Sequence, residues 1–296
     1  MKLYAPKYYK TFQCIADRCE HSCCIGWEID IDGDTFQKYQ KLKEGYGAVI
    51  ADSISVEDVP HFKLAEHDRC PHLDERGLCR IIMNVGEEYL CDICREHPRF
   101  YNYTNVAEVG LGMSCTEAAR IILSSSDYAI FEEIGDVEAL PDNCGFDGRA
   151  WRDEIYAVLQ DTATDYKTAL DTVYRKYVIN VGDDAQWLDI LDSLEYLDVD
   201  HKKLFGKYSS RHRPSGADEY LERFLTYLVY RHCTEASDED DFRDRLAFCL
   251  FCERLLASLI CVENAKSLCE IAKLSSVISE EIEYSEDNTF ALMYRI

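Results

Sequence analysis

The sequence predicts a mainly α-helical protein, with an irregular cysteine-rich metal-binding N-terminal part packed on a C-terminal helical bundle. Three observations lead there. Nine of the 15 cysteines fall within the first 115 of 296 residues. The same stretch is cut into short segments by Gly, Pro and Cys, which end regular structure. From Thr116 onward, apolar residues recur at spacings of three and four over long runs, the period of a helix with one buried face. The division drawn from these patterns is residues 1–120 as a cysteine-rich metal-binding domain and 121–296 as an acidic helical domain.

Element by element, Ile25-Gly26 reads as a turn, and DTFQKYQKLKEG reads as a helix that Asp34 caps. In CPHLDERGLC, Asp74 to Gly77 form a tight turn between two cysteines, the shape of a metal knuckle. Short strands are expected near residues 78 to 83 and 105 to 113. Trp151, Ile155, Val158, Leu159, Tyr166, Leu170, Val173, Tyr174 and Tyr177 mark helices, and further helices are expected over Tyr220 to Cys233 and Phe242 to Ala272. Cys249, Cys252, Cys261 and Cys269 lie on that apolar pattern and are read as core residues, because buried cysteine behaves as a small hydrophobe.

Charge narrows the class of partner. The formal net charge is −24, with 56 acidic against 32 basic residues. Up to Arg120 there are 20 acidic and 14 basic residues, so most of the excess belongs to the second part. Such a surface repels nucleic acid and anionic lipid and favours solubility or a cationic partner. The N-terminus lacks the apolar run of a secretory signal, and the apolar stretch LAFCLFCERLLASLICV is interrupted by Glu253 and Arg254. The chain is therefore read as cytoplasmic, with no membrane span.

A reducing compartment makes dense cysteines metal ligands rather than disulfides. The candidates are Cys14, Cys19, Cys23, Cys24, Cys70, Cys79, Cys91, Cys94 and Cys115. Thiolates are soft donors that select zinc or an iron-sulfur cluster. If the first string is helical, Cys19 and Cys23 share a face, as do Cys91 and Cys94, and each pair can converge on a metal. Adjacent Cys23 and Cys24 point apart. Nine thiols exceed one four-ligand site, which favours two centres; His21, His72 and His97 are alternative ligands. The spacing CEHSCC does not provide the CxxxCxxC of radical S-adenosylmethionine enzymes, and no Walker loop, GxGxxG, HExxH or GxSxG is present.

The runs CIADRCEHSCCIGWEIDID, CPHLDERGLCRI, CDICREHPRFYNY and SCTEAARIIL, with Tyr4 and Pro6, resemble the flagellin lysine-N-methylase family over roughly 120 residues. Part of the pattern is also similar to zinc- or iron-chelating cysteine-cluster proteins. Thr116 stands where the family tends to carry proline. The resemblance implies methyl transfer from S-adenosylmethionine to lysine nitrogens of flagellin by a protein carrying an iron-sulfur cluster, a four-iron four-sulfur cluster foremost, with zinc as the other metal.

A lysine must lose its proton before it attacks, since its ordinary pKa is near 10.4. Tyr101 and Tyr103, with Glu96 behind them, are candidate proton acceptors, and Glu28 is a catalytic candidate as an acid beside the sulfonium; aromatic packing is the plainer reading of the tyrosines. Arg95 and Arg99 are candidates for the cofactor carboxylate or for balancing thiolate charge. Trp27 offers an aromatic face to a sulfonium. A non-catalytic iron-sulfur or zinc protein, serving electron transfer, metal handling or partner binding, is the alternative.

Overall fold

In the computed structural model, which describes residues 1–19, 21–138, 146–180 and 182–294, contacts divide the chain into two units. Residues 13–98 form one; residues 1–12 and 99–296 form the other. The helical unit thus includes the first strand and residues 99–120, which the sequence pattern groups with the cysteines. The chain is mainly helical. Cys144 lies outside the described residues.

Strand β1 (Lys2–Pro6) opens the larger unit and is taken up below. The smaller unit begins with a single 3-10 turn, Ala16–Arg18, after which Cys19 is extended. Helix α1 (Gly33–Lys41) is capped by Asp32, whose carboxylate accepts from the Thr35 amide at 2.9 Å, two residues before the cap expected at Asp34. Helix α2 (Tyr46–Asp52) follows, then the two-residue strands β2 (Ile54–Ser55) and β3 (His61–Phe62), paired antiparallel. Helix α3 (Arg80–Asn84) occupies the place expected for a strand; only Cys79 makes a bridge there, to Leu73. Helix α4 (Asp92–Glu96) completes the unit. Ile29, Ile31, Tyr39, Ile50, Phe62 and Ile81 are buried together with Cys70 and Cys91.

In the larger unit β1 meets β4 (Arg99–Tyr103), β5 (Ala107–Leu111) and β6 (Phe131–Asp136) in a sheet of order β4-β5-β1-β6. β1 runs parallel to β5 and antiparallel to β6, and β4 with β5 forms an antiparallel pair. Every residue of β5 is buried, including Glu108. Gly110 is required: a Cβ there would stand 2.3 Å from the Phe100 ring and 2.8 Å from that of Tyr230.

The helices of this unit are α5 (Thr116–Ser124), α6 (Gly148–Leu159), α7 (Tyr166–Tyr177), α8 (Asp184–Ser193), α9 (Val199–Phe205), α10 (Asp218–Cys233), α11 (Glu239–Glu263), α12 (Leu268–Ile278) and α13 (Glu286–Tyr294). Part of the acidic excess sits at helix starts, where a carboxylate meets orphan amides and the positive end of the helix dipole. Asp147, Asp165, Asp183, Asp198 and Asp238 cap α6, α7, α8, α9 and α11. Helix α11 is the buried axis, roughly 37 Å long at 1.5 Å per residue; Trp187 stacks on its Phe251 with ring centroids 3.6 Å apart.

The helix expected over Phe242 to Ala272 is two helices. Asn264 takes the left-handed conformation, and Ser267 and Glu270 form a capping box that starts α12. Cys249 and Cys252 are fully buried, Cys261 partly so, and Cys269 is exposed on the solvent side of α12, which corrects its reading as core. Between α12 and α13 the backbone makes one π-helical segment, Ser279–Glu283.

Candidate functional site

Local structure in the smaller unit assembles sulfur. The Cys70 amide donates to the Cys24 carbonyl at 2.8 Å, and that of Gly26 to the Asp68 carbonyl at 2.9 Å, so the first cysteine string lies along the approach to the knuckle. The knuckle has the expected form. Asp74 accepts from the amides of Arg76 and Leu78, at 2.9 and 2.8 Å, and Gly77 takes the positive φ of +81° that the turn needs. Cys91 stands at the N-cap of α4, and its thiol is hydrogen-bonded to that of Cys94 one turn on.

Cys24, Cys79 and Cys94 pack against the core that contains Cys70 and Cys91. These five thiols act on one another. Burial pushes Cys70 up to about 12, and neighbouring Cys24, Cys79 and Cys91 add to it. Cys94 is driven up by its bond to Cys91 and by burial, while that bond holds Cys91 down. A hydrogen bond from Cys23 brings Cys24 down to about 7, helped by Ser22 and Arg69. Such a set resists ionising together unless a cation balances it, so its donor chemistry fits a soft metal or cluster. Among the described residues, no three His, Cys, Asp or Glu side chains are drawn together closely enough to hold a metal ion.

The other candidate thiols are placed differently. Cys14 and Cys23 are exposed, and the Cys19 thiol donates to the His21 carbonyl at 2.8 Å. Among the described residues up to Cys19, i to i+3 bonds from Arg18 and Cys19 close a lone 3-10 turn. Cys115 belongs to the larger unit, where it precedes α5 and packs on that unit's core. His72 is a hub of the smaller core: Nδ1 meets the Tyr46 hydroxyl and Nε2 the Ser53 hydroxyl, each at 2.9 Å, and burial lowers its pKa to about 4. Both ring nitrogens are therefore engaged by hydroxyls.

Of the remaining candidates, Trp27, Glu28 and Arg95 lie in the smaller unit and Arg99, Tyr101 and Tyr103 in the larger. Glu28 is exposed and 3.5 Å from Nδ1 of His61. Arg95 pairs with Asp92 and Glu96 and donates to the Leu90 carbonyl at 3.2 Å. Arg99 donates to the Tyr9 hydroxyl at 3.0 Å and lies over the rings of Tyr9 and Phe12. Tyr101 and Tyr103, two apart on β4 and so on one face, stack with centroids 6.3 Å apart and planes 12° apart.

The helical periodicity gave no sign of the buried charges in the larger unit. Glu283, on the π-helical segment, accepts from the Tyr227 hydroxyl at 2.8 Å and is 2.6 Å from Nε2 of His232; Arg231 lies 3.5 Å away. Three acids in the run SEEIE were the available signal, since a helix that buries Glu280, Glu281 and Glu283 must supply each with partners.

Part of the chain aligns with known proteins. It is 32% identical over 130 residues to the flagellar biosynthetic protein FliU of Salmonella muenchen, a match covering 41% of this chain and 77% of that protein. It is 30% identical over 136 residues to the lysine-N-methylases of Salmonella typhimurium and Salmonella choleraesuis. Those matches cover 43% of this chain and 34% of each methylase, so the chain spans about a third of their length. No family model and no solved structure matches the chain. The chain belongs to the family of FliU and the lysine-N-methylases.

Proposed function

We propose that this chain is an S-adenosylmethionine-dependent protein-lysine N-methyltransferase acting on flagellin, with a cysteine-ligated iron-sulfur or zinc centre in its smaller unit. The observation that carries the reading is the likeness to lysine-N-methylases over 136 residues. Cys24, Cys70, Cys79, Cys91 and Cys94 would supply the ligands, since they share one core. Bound there, the metal or cluster supplies the positive charge that the thiolates need and ties the three strings together.

The transfer itself needs no radical. The neutral lysine nitrogen donates its lone pair to the sulfonium methyl carbon; the N–C bond forms as the C–S bond breaks, and sulfur leaves with the bonding pair as a thioether. A base takes the proton from the lysine beforehand. Tyr101 and Tyr103 are the proposed acceptors and Glu28 the proposed catalytic acid beside the sulfonium; Trp27 is proposed for the sulfonium, and Arg95 and Arg99 for the cofactor carboxylate. The strongly acidic surface attracts a lysine-bearing partner.

Calorimetry with S-adenosylmethionine on anaerobically purified protein tests this reading. Saturable binding is the expected result, and its absence from metal-replete protein contradicts the reading. A non-catalytic metal protein is the second reading, favoured by the packing of all five sulfurs in or against an apolar core. It predicts full metal content without cofactor binding.

A further inference from the structure

Three cavities of the larger unit differ in charge. One of about 600 Å3 carries both signs, with Lys203, Lys207 and Lys273 beside Asp200, Glu263 and Glu270. A second, of about 480 Å3, contains Lys7 and Arg120, which pair with Asp127 and Glu117. The third, of about 310 Å3, presents Glu222, Asp161, Tyr128, Tyr166, Thr162 and Thr164, and among the described residues no Lys, Arg or His lines it.

Its walls are held in place. The Tyr128 hydroxyl donates to half-buried Glu222, and that of buried Tyr166 to Glu253 at 3.1 Å. Asp161 accepts from the Ala163 amide at 3.0 Å and the Thr164 hydroxyl at 2.9 Å. Arg223, which acts on Glu222 through its charge and lies over the Tyr128 ring at 5.8 Å, bonds to the Leu123 carbonyl at 2.5 Å and to Glu219 at 3.1 Å. Burial raises the pKa of Glu222, so a cation set against it would relieve a real cost. Tyrosine rings with a carboxylate suit an alkylammonium better than a bare ion. The volume takes a butylammonium group and several waters at about 30 Å3 each.

We propose that this cavity is a recognition pocket for a lysine side chain of the protein substrate, its ammonium against Glu222 and its methylene stem on Tyr128 and Tyr166. The assignment to a substrate lysine rests on the methyltransferase reading; the affinity for an alkylammonium does not.

Ligand-observed NMR on the full chain with n-butylammonium chloride, against n-butanol at matched ionic strength, tests it. Butylammonium should bind and butanol should not. Glu222→Gln should weaken binding about tenfold to a hundredfold, the usual worth of a hydrogen bond to a charged group. Thr162→Trp, at an exposed lining position, should fill the mouth and abolish binding; it decides the matter alone if circular dichroism shows Glu222→Gln unfolded. Equal binding of butanol, no binding, or binding unchanged by Thr162→Trp overturns the proposal. S-adenosylmethionine binding by the same samples separates the two ideas. Cofactor binding without butylammonium binding sinks the pocket alone, whereas the reverse sinks the methyltransferase reading and leaves an alkylammonium site.

Discussion

Arg152 donates to Glu108 across 2.8 Å with the two side chains 5% and 4% exposed. Helix α6 and strand β5 are joined by this pair, and the guanidinium also lies over the rings of Phe131, Tyr156 and Tyr230. Removing one buried partner strands the other charge. Arg152→Met should therefore lower stability by about 3–5 kcal/mol in urea unfolding. The double variant Glu108→Leu/Arg152→Met should recover much of the loss; a double variant as unstable as the single would show that ring packing around Arg152, not charge, holds the junction.

Gly110→Ala tests the close approach of β5 to its neighbours. The added methyl meets the rings of Phe100 and Tyr230, and overpacking of this kind costs about 1–3 kcal/mol. A urea midpoint matching the parent protein would mean that both rings can move aside.

Burial alone would raise Glu283, but Arg231 and His232 outweigh it and hold the carboxyl down to about 2. An unfolded glutamate titrates near about 4.3. The group's stabilisation is thus fully present above about pH 4.3 and fades as pH falls toward about 2. Glu283→Gln should flatten the fall of unfolding free energy across that window, removing on the order of 3 kcal/mol of acid dependence. An unchanged acid limb would assign that dependence to other carboxylates.

The sulfur core predicts a division among the cysteines. Cys70→Ser and Cys91→Ser, in the buried set, should lose metal measured by elemental analysis and visible absorption, whereas exposed Cys14→Ser should keep it. Equal loss in all three variants would return Cys14 to the ligand set.

Local chemistry was legible in the sequence, and distant pairing was not. The Asp74–Gly77 turn follows from side-chain bonds within five residues, and the association of Cys91 with Cys94 from a spacing of one turn. Helices α6 and α7 follow from periodicity that their own burial confirms. By contrast, β1 pairs Leu3 with Ala107 and Pro6 with Phe131, partners more than a hundred residues away, for which LYAPKYYK carries no local mark. Cys19 and Cys23 share a helical spacing, and the described residues up to Cys19 close a lone 3-10 turn there. The exposure of Cys269 was missed because α12 begins anew after Asn264 and sets its own buried face.

Methyl transfer is the most direct measure of the central claim. Anaerobically purified, metal-replete protein incubated with S-adenosylmethionine and flagellin should add methyl groups to flagellin lysines, seen by peptide mass spectrometry and absent without the cofactor. Unmodified lysines, from protein shown in the same experiment to hold its metal and bind S-adenosylmethionine, would contradict it.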